Sequence, residues 1–413
     1  MRLALWNTNY FRGFGGAEKA VHNLANQFGQ LGVETYLIAA RPNKPRMENE
    51  FFGPIHPAVK IYQGSFVNPW DSLHEPLNFL LTFLKYLNAA FRFIFFFRRH
   101  RTHIIHLHYV SWDVLLLGLC KALFRCRLVI TFRAGEDLVA RQRRLSSWKI
   151  RIALKCADRV TAVSKELCEA FKTKYAFKTA LYIPNGLDVN LVRASVTPPA
   201  GLQSDQFVFC GRMTHQKRVD FLVESFNQCI NRGCEKNLYL VGDGEELDKI
   251  KSLIHSYGIE DRIIVLGALP HAQTLGVISQ SRCLLLSSVF EGFPQVVLEG
   301  MALAKAIVAP DIGGLRDMVV HGESGYLYPL DREDLFCDFI MELSKGERVR
   351  TFGSRGLAKL TAEYSLDGIV TQYLDLYRSL LVESAALSPC PVSTRPGSQA
   401  SEIRAIKRGS ARE

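Results

Sequence analysis

A chain of 413 residues, 48% hydrophobic and 22% charged, has the length for two or three domains and an ordinary globular composition; wholesale disorder and a collagen-like chain are excluded. The net charge is +11 and uneven: Met1–Ser195 holds 28 basic against 13 acidic residues, net +15, and Val196–Glu413 holds 23 against 27, net −4. A basic half suits an anionic partner (phosphates, nucleic acid or a membrane surface), or it is ordinary surface decoration. At this size the core can be large, so neither disulfides nor a structural metal are required. The ten cysteines show no C-x-x-C pair and fall mostly in apolar runs, as expected of free thiols in a reducing, cytoplasmic setting. The first forty residues lack the pattern of a signal peptide.

In chain order, Leu3–Trp6 is a short apolar strand, followed by Gly13, Gly15 and Gly16 and an amphipathic helix over Ala17–Leu31, with a second strand at Val33–Ala40. Leu77–Phe97 is apolar for about the length of a membrane span. Lys85 and Arg92 interrupt it, which makes spanning expensive, and Arg98, Arg99 and Arg101 follow it. Such a basic-edged helix suits lying on a membrane, with Phe95, Phe96, Phe97, Arg98 and Arg99 as contacts; the alternative is a helix buried in the N-terminal core. Strands follow at Ile104–His108, Leu128–Phe132 and Arg159–Val163. A polar, Pro-rich stretch at Ser195–Gln206 reads as a linker, and a second strand–helix alternation begins at Phe207. Its strands are Phe207–Cys210, Leu238–Val241, Ile263–Leu266, Cys283–Ser287 and Ala306–Ala309, and Leu366–Leu381 is a closing helix. From Ser384 the chain has the composition of a disordered tail. Two parallel-sheet α/β domains are therefore expected, at 1–195 and 206–365, with the helix at 366–383 and the tail at 384–413.

The densest chemistry lies in Ser287–Leu303, SSVFEGFPQVVLEGMAL. A strand ends, a loop carries Glu291, Gly292 and Phe293, and Pro294 suits the first turn of a helix containing Glu299. Loop amides and a helix N-terminus make an anion site, and Gly292 permits close backbone approach. A carboxylate there can bind sugar hydroxyls or offset positive charge. Taken singly, either glutamate is equally an ordinary helix carboxylate.

The full string resembles the signature of family 4 glycosyltransferases, a retaining family of GT-B fold, with two glutamates seven residues apart in EGFPQVVLEGMA. FCGRMTHQKRVDFLVESF from Phe209, LVGDGEE from Leu240, IPNGLD from Ile183 and FGGAEKAVHNLA near the N-terminus are similar too, so the resemblance covers about the first 380 residues. It implies two Rossmann-like domains facing a cleft, the first for the acceptor and the second for a nucleotide-diphosphate sugar. Glu299 is implied to hold the ribose and Glu291 to lie beside the donor sugar. Arg212 and Lys217 suit a diphosphate, as a planar fork and a point charge. Gly267, Leu269 and Pro270 are implied to flank the base, and Gly15 and Gly16 to let donor and acceptor approach. Where many relatives carry a histidine this chain has Arg133, which cannot act as a base at neutral pH. Glu136 and His108 are further acceptor candidates, Glu136 being equally a helix cap.

The resemblance implies hexosyl transfer to a glycan or lipid-linked acceptor in cell-surface polysaccharide or glycolipid synthesis. No D-x-D triplet occurs, and the histidines at 100, 103, 106 and 108 lack a completing Cys or carboxylate, so no cofactor or metal is expected. Nucleic acid is disfavoured, since no binding motif accompanies the charge. Rival readings are a dehydrogenase, whose third glycine position is here Glu18; a nucleotide-sugar epimerase; and a non-catalytic lipid-binding module. The location expected is cytoplasmic, on the inner membrane face if the apolar helix binds lipid.

Overall fold

The computed structural model describes residues 1–7, 10, 15–40, 53–64, 76–133, 144–177 and 179–386. In the first half, strands β1 (Arg2–Trp6), β2 (Glu34–Ala40), β3 (Val59–Gly64), β4 (Ile104–His108), β5 (Arg127–Phe132), β6 (Arg159–Ala162) and β7 (Ala180–Tyr182) alternate with helices. These are α1 (Gly16–Gln30), α2 (Pro76–His100), α3 (Asp113–Phe124), α4 (Arg144–Cys156) and α5 (Lys165–Tyr175), with α6 (Val189–Ala194) after β7. All pairings are parallel, in the order β3-β2-β1-β4-β5-β6-β7.

The second half repeats the plan. Strands β8 (Phe207–Cys210), β9 (Leu238–Val241), β10 (Ile263–Gly267), β11 (Cys283–Leu285), β12 (Ala306–Pro310) and β13 (Tyr326–Tyr328) form a parallel sheet, β10-β9-β8-β11-β12-β13. Its helices are α7 (Val219–Asn231), α8 (Leu247–Tyr257), α9 (His271–Gln280), α10 (Gln295–Ala302), α11 (Leu315–Met318), α12 (Glu333–Lys345) and α13 (Arg348–Glu363). The chain then enters α14 (Leu366–Ala386). This is the two-domain parallel architecture expected of GT-B. The strands β3, β7 and β13 were not read as strands: all three lie at sheet edges, β7 and β13 are three residues long, and β3 is part-exposed along VKIYQG rather than a continuous apolar run.

Strand alternation sends successive side chains to opposite faces of the first sheet. Leu3 and Leu5 pack with Val21, Leu24 and Phe28 of α1 and with Tyr373 and Tyr377 of α14. Ala4 and Trp6 pack with Phe93 and Phe97 of α2, Leu117 of α3 and Ile150 of α4. The C-terminal helix therefore belongs physically to the N-terminal sheet. There Tyr377 Oη lies 2.6 Å from His106 Nδ1, and Tyr373 Oη lies 3.3 Å from Thr131 Oγ1. The stretch 195–206 is laid along α9: Thr197 N donates to Ala272 O at 3.0 Å, and a Cβ at Gly276 would stand 2.5 Å from Pro198 Cα.

The α2 phenylalanines require a correction. Phe96 and Phe97 are 4% and 1% exposed, whereas Phe95 is 64% exposed. Phe96 sits edge-on against Tyr36, and Phe97 stacks over Trp6 at 6.3 Å. The reason is helical phase: Phe93, Phe96 and Phe97 fall on one stripe and Phe91 and Phe95 on the other. Phe96 and Phe97 are core residues, and Phe95 alone of the three faces outward. The described part of α2 is amphipathic, and the tail from residue 387 lies outside the described residues.

Candidate functional site

In an open parallel sheet, ligands bind beyond the carboxyl ends of the strands, where the strand order reverses. The reversal falls between β1 and β4 in one sheet and between β8 and β11 in the other. The loops leaving these strands face each other. At β8 and β9 the approach is so close that a Cβ on Gly242, whose φ is +140°, would lie 1.8 Å from Gly211 O. Glycine is required there, and the contact fixes the loop that carries Arg212.

The loop after β8 ends in a 3-10 turn, His215–Lys217, and the loop after β11 carries Glu291. Lys217 Nζ lies 2.5 Å from Glu291 Oε1, which also accepts from Ser288 Oγ at 2.6 Å. Ser287 Oγ donates to Lys217 O at 2.6 Å. The two serines just after β11 thus hold both partners of the ion pair. Glu291 is 6% exposed, so its charge is carried by these two donors rather than by water. Gly292 and Phe293 are buried in the same loop. Pro294 occupies the N-cap with extended geometry, one residue before the helix rather than within its first turn, and α10 starts at Gln295.

Glu299, 6% exposed on α10, accepts at Oε1 from His271 Nε2 at 2.8 Å. His271 follows Pro270, the N-cap of α9, so Leu269 and Pro270 lie beside Glu299 through that contact. Gly267 ends β10 with φ +70°, its carbonyl accepting from Gly242 N at 2.8 Å. Arg212 is exposed at the cleft.

From the first domain, α1 points its N-terminus at that of α10. A Cβ on Gly16 would meet Gln295 Cβ at 2.9 Å, so this glycine permits the two domains to close. Gly15 lies under the Glu18 carboxylate: a Cβ there would be 2.8 Å from Glu18 Oε2. Burial raises the Glu18 pKa, opposed in part by backbone hydrogen bonds and by the charges of Arg133 and Arg212. Burial likewise lowers the Lys19 pKa, opposed by the Glu299 charge.

Arg133 is buried and acts as a bridge. Its Nη1 donates to Asn185 Oδ1 at 2.5 Å, and its Nε reaches His108 Nδ1 at 3.2 Å. Asn185 Nδ2 then donates to Phe293 O at 2.9 Å, in the other domain. The expectation that His108 lines the cleft is corrected. It has no exposure, its ring lies tilted 4.0 Å from that of His106, and its Nδ1 contacts Arg133. Burial holds both imidazoles well below their ordinary pKa, so they are neutral. Glu136 lies outside the described residues.

Sequence reasoning missed Asn185, Lys19, His271 and Gln295. Asn185 sat within IPNGLD and His271 followed Pro270, yet each acquires its role from a partner distant in the chain. Gln295 is 5% exposed, with neither amide atom hydrogen-bonded, at the N-terminus of α10.

Residues 14–191 match the family described as Glycosyltransferase Family 4, and residues 198–355 match the one described as Glycosyl transferases group 1. The chain is a glycosyltransferase of this family. It is 26% identical over 391 residues to the N-acetyl-alpha-D-glucosaminyl L-malate synthase of Bacillus anthracis, covering 92% of this chain and 98% of that protein. Its fold is similar to that of the sucrose-phosphate synthase of Thermosynechococcus elongatus, with TM-score 0.72, 21% identity, and coverage of 93% and 100%. It is also similar to Anabaena HepE, solved with UDP and glucose, with TM-score 0.71, 19% identity, and coverage of 92% and 100%. In this glycosyltransferase both matched segments carry the facing loops: Gly15, Gly16 and Arg133 in the first, Arg212, Lys217, Glu291 and Glu299 in the second.

Proposed function

We propose that the protein moves a hexosyl group from a nucleotide-diphosphate sugar to a hydroxyl of a glycan or lipid-linked acceptor in the cytoplasm, with retention and without a metal. The observation that carries this reading is the buried Lys217–Glu291–Ser288 cluster beside the N-terminus of α10, with Arg212 on the neighbouring loop. Lys217, Arg212 and the helix N-terminus supply positive charge where a diphosphate leaves. In this reading Glu299, bonded by His271, takes the ribose hydroxyls. The UDP and glucose bound in Anabaena HepE, a protein of similar fold, agree with that donor class.

In the reaction proposed, the bond from the sugar's anomeric carbon to the phosphate oxygen breaks and its electron pair stays on the diphosphate. The acceptor oxygen attacks from the same face, and its proton passes to the departing phosphate oxygen. Glu291 offsets the positive charge that develops on the sugar. This route asks for no nucleophile or base from Arg133, which positions Asn185 and the Phe293 loop instead. Nine described cysteines are unpaired, in keeping with a reducing compartment.

The test is incubation with UDP- and GDP-sugars in EDTA, with and without NAD, following product anomer by NMR. One donor is expected to be consumed, with its anomeric configuration kept, without NAD. Dependence on Mn²⁺, inversion, or epimerised donor as the sole product would each contradict the reading.

A further inference from the structure

The outward side of α2 is apolar over most of its length. Leu80, Leu81, Leu84, Leu87, Phe91 and Phe95 are exposed and repeat every three or four residues, opposite the core-facing Phe93, Phe96 and Phe97. Helix α3 packs beside α2, and α4 packs beside α3. Leu115, Leu119 and Leu123 of α3 are exposed, as is Trp148 of α4 at 63%. All three helices cover the same face of the first sheet, so these side chains share one outer layer.

The same layer is basic. Lys85, Arg92, Arg98 and Arg99 on α2, Arg125 after α3, and Arg151 and Lys155 on α4 are exposed. The three helices contain one acidic residue, Asp113, whose carboxylate accepts from Ser111 Oγ at 2.7 Å and Trp6 Nε1 at 3.4 Å. A second copy of this chain would set like charges against each other across such a face. An anionic surface satisfies both the apolar stripe and the charge. The segment Leu80–His100 has the length and hydropathy to cross a bilayer, but Phe93, Phe96 and Phe97 are part of the domain core. The helix can therefore lie on a membrane but not leave the domain to span one.

We propose that the outer layer formed by α2, α3 and α4 docks this protein onto an anionic lipid bilayer, with Phe91, Phe95 and Trp148 entering the interface and the flanking arginines and lysines meeting the headgroups. Helix α2 leads into β4 at the amino-terminal edge of the sheet, and its 25 residues, about 37 Å at the rise of an α-helix, outrun the five residues of β4, about 17 Å, so its N-terminal half reaches the carboxyl-end side of the sheet. The exposed Leu80, Leu81 and Leu84 lie in that half, and the head of a lipid-linked acceptor would emerge beside them. That last step rests on the glycosyl-transfer reading; the docking itself does not.

The test is sedimentation with phosphatidylcholine vesicles with and without phosphatidylglycerol, at low and high salt. Nucleotide binding by the same samples is measured separately in solution. The wild type is expected to bind anionic vesicles, less at high salt, and neutral ones weakly. The triple variant Phe91→Ser, Phe95→Ser, Trp148→Ser should lower partitioning by at least ~10-fold. The charge variant Arg98→Glu, Arg99→Glu should lose the salt-sensitive part. Both should keep nucleotide binding and the wild-type melting profile. A wild type that stays in solution with anionic vesicles at low salt overturns the proposal. So does unchanged binding by both variants, or a solution dimer that the triple variant dissolves. A wild type that sediments with the vesicles but binds no nucleotide would instead count against the glycosyl-transfer reading and leave the docking result standing.

Discussion

Replacing Lys217 by alanine is expected to lower kcat by about 10²–10³, the usual loss on removing one donor aimed at developing charge. Lys217 has two tasks here. It stabilises the leaving diphosphate, and it neutralises Glu291, which is 6% exposed and otherwise keeps only Ser288 as a donor. Glu291→Gln preserves the shape and removes the charge, so it should also fall mainly in kcat, with donor affinity little changed. Since the two groups act as one ion pair, the double variant should lose far less than the product of the single losses. Steady-state kinetics on the four proteins of the cycle decide this. Independent, multiplicative losses would show that the pair does not operate as a unit.

Phe97→Ala is expected to destabilise the N-terminal domain by about 3–5 kcal/mol, the range for truncating a buried aromatic side chain. Phe97 is 1% exposed and stacks on Trp6, which in turn touches Phe93 at 4.6 Å. Against a total stability of about 5–15 kcal/mol this is a large fraction. Phe95→Ser, two residues away on the opposite stripe, should change stability by no more than about 0.5 kcal/mol. Urea unfolding of both variants checks the contrast. Equal effects would mean that the helical phase assigned to α2 is wrong.

That contrast also shows where sequence reading stops. The run Phe95-Phe96-Phe97 carries no composition signal that separates its members, because every position is apolar. The separation comes from the phase of α2 against Trp6 and Tyr36, which neighbours in sequence do not encode. Most strands were legible as continuous apolar runs, among them β10 at a sheet edge; β3, β7 and β13, all at edges, were hidden because they are short or alternate with polar residues. The donor-side residues were legible for a related reason. Lys217, Glu291 and Glu299 sit in contiguous loop-and-helix strings whose spacing carries meaning. Asn185 and Lys19 do not, since each gains its role from partners far away in the chain: Asn185 from Arg133 and Phe293 O, and Lys19 from the Glu299 charge. Arg133 was visible as a departure, but its role as a bridge between His108 and Asn185 required the fold.

The central claim is that Glu299 marks the nucleoside end of a donor site that needs no metal. Titration calorimetry of UDP and GDP against the wild type and Glu299→Ala, in EDTA, tests it most directly. Removing one charged hydrogen-bonding partner of about 1.5–3 kcal/mol corresponds to roughly a 10- to 150-fold weaker Kd. The account predicts that one of the two nucleotides binds the wild type in EDTA and binds Glu299→Ala weaker by that factor, while Glu291→Gln binds it nearly as the wild type does. Binding only when Mg²⁺ or Mn²⁺ is added, or equal affinity in wild type and Glu299→Ala, would contradict it.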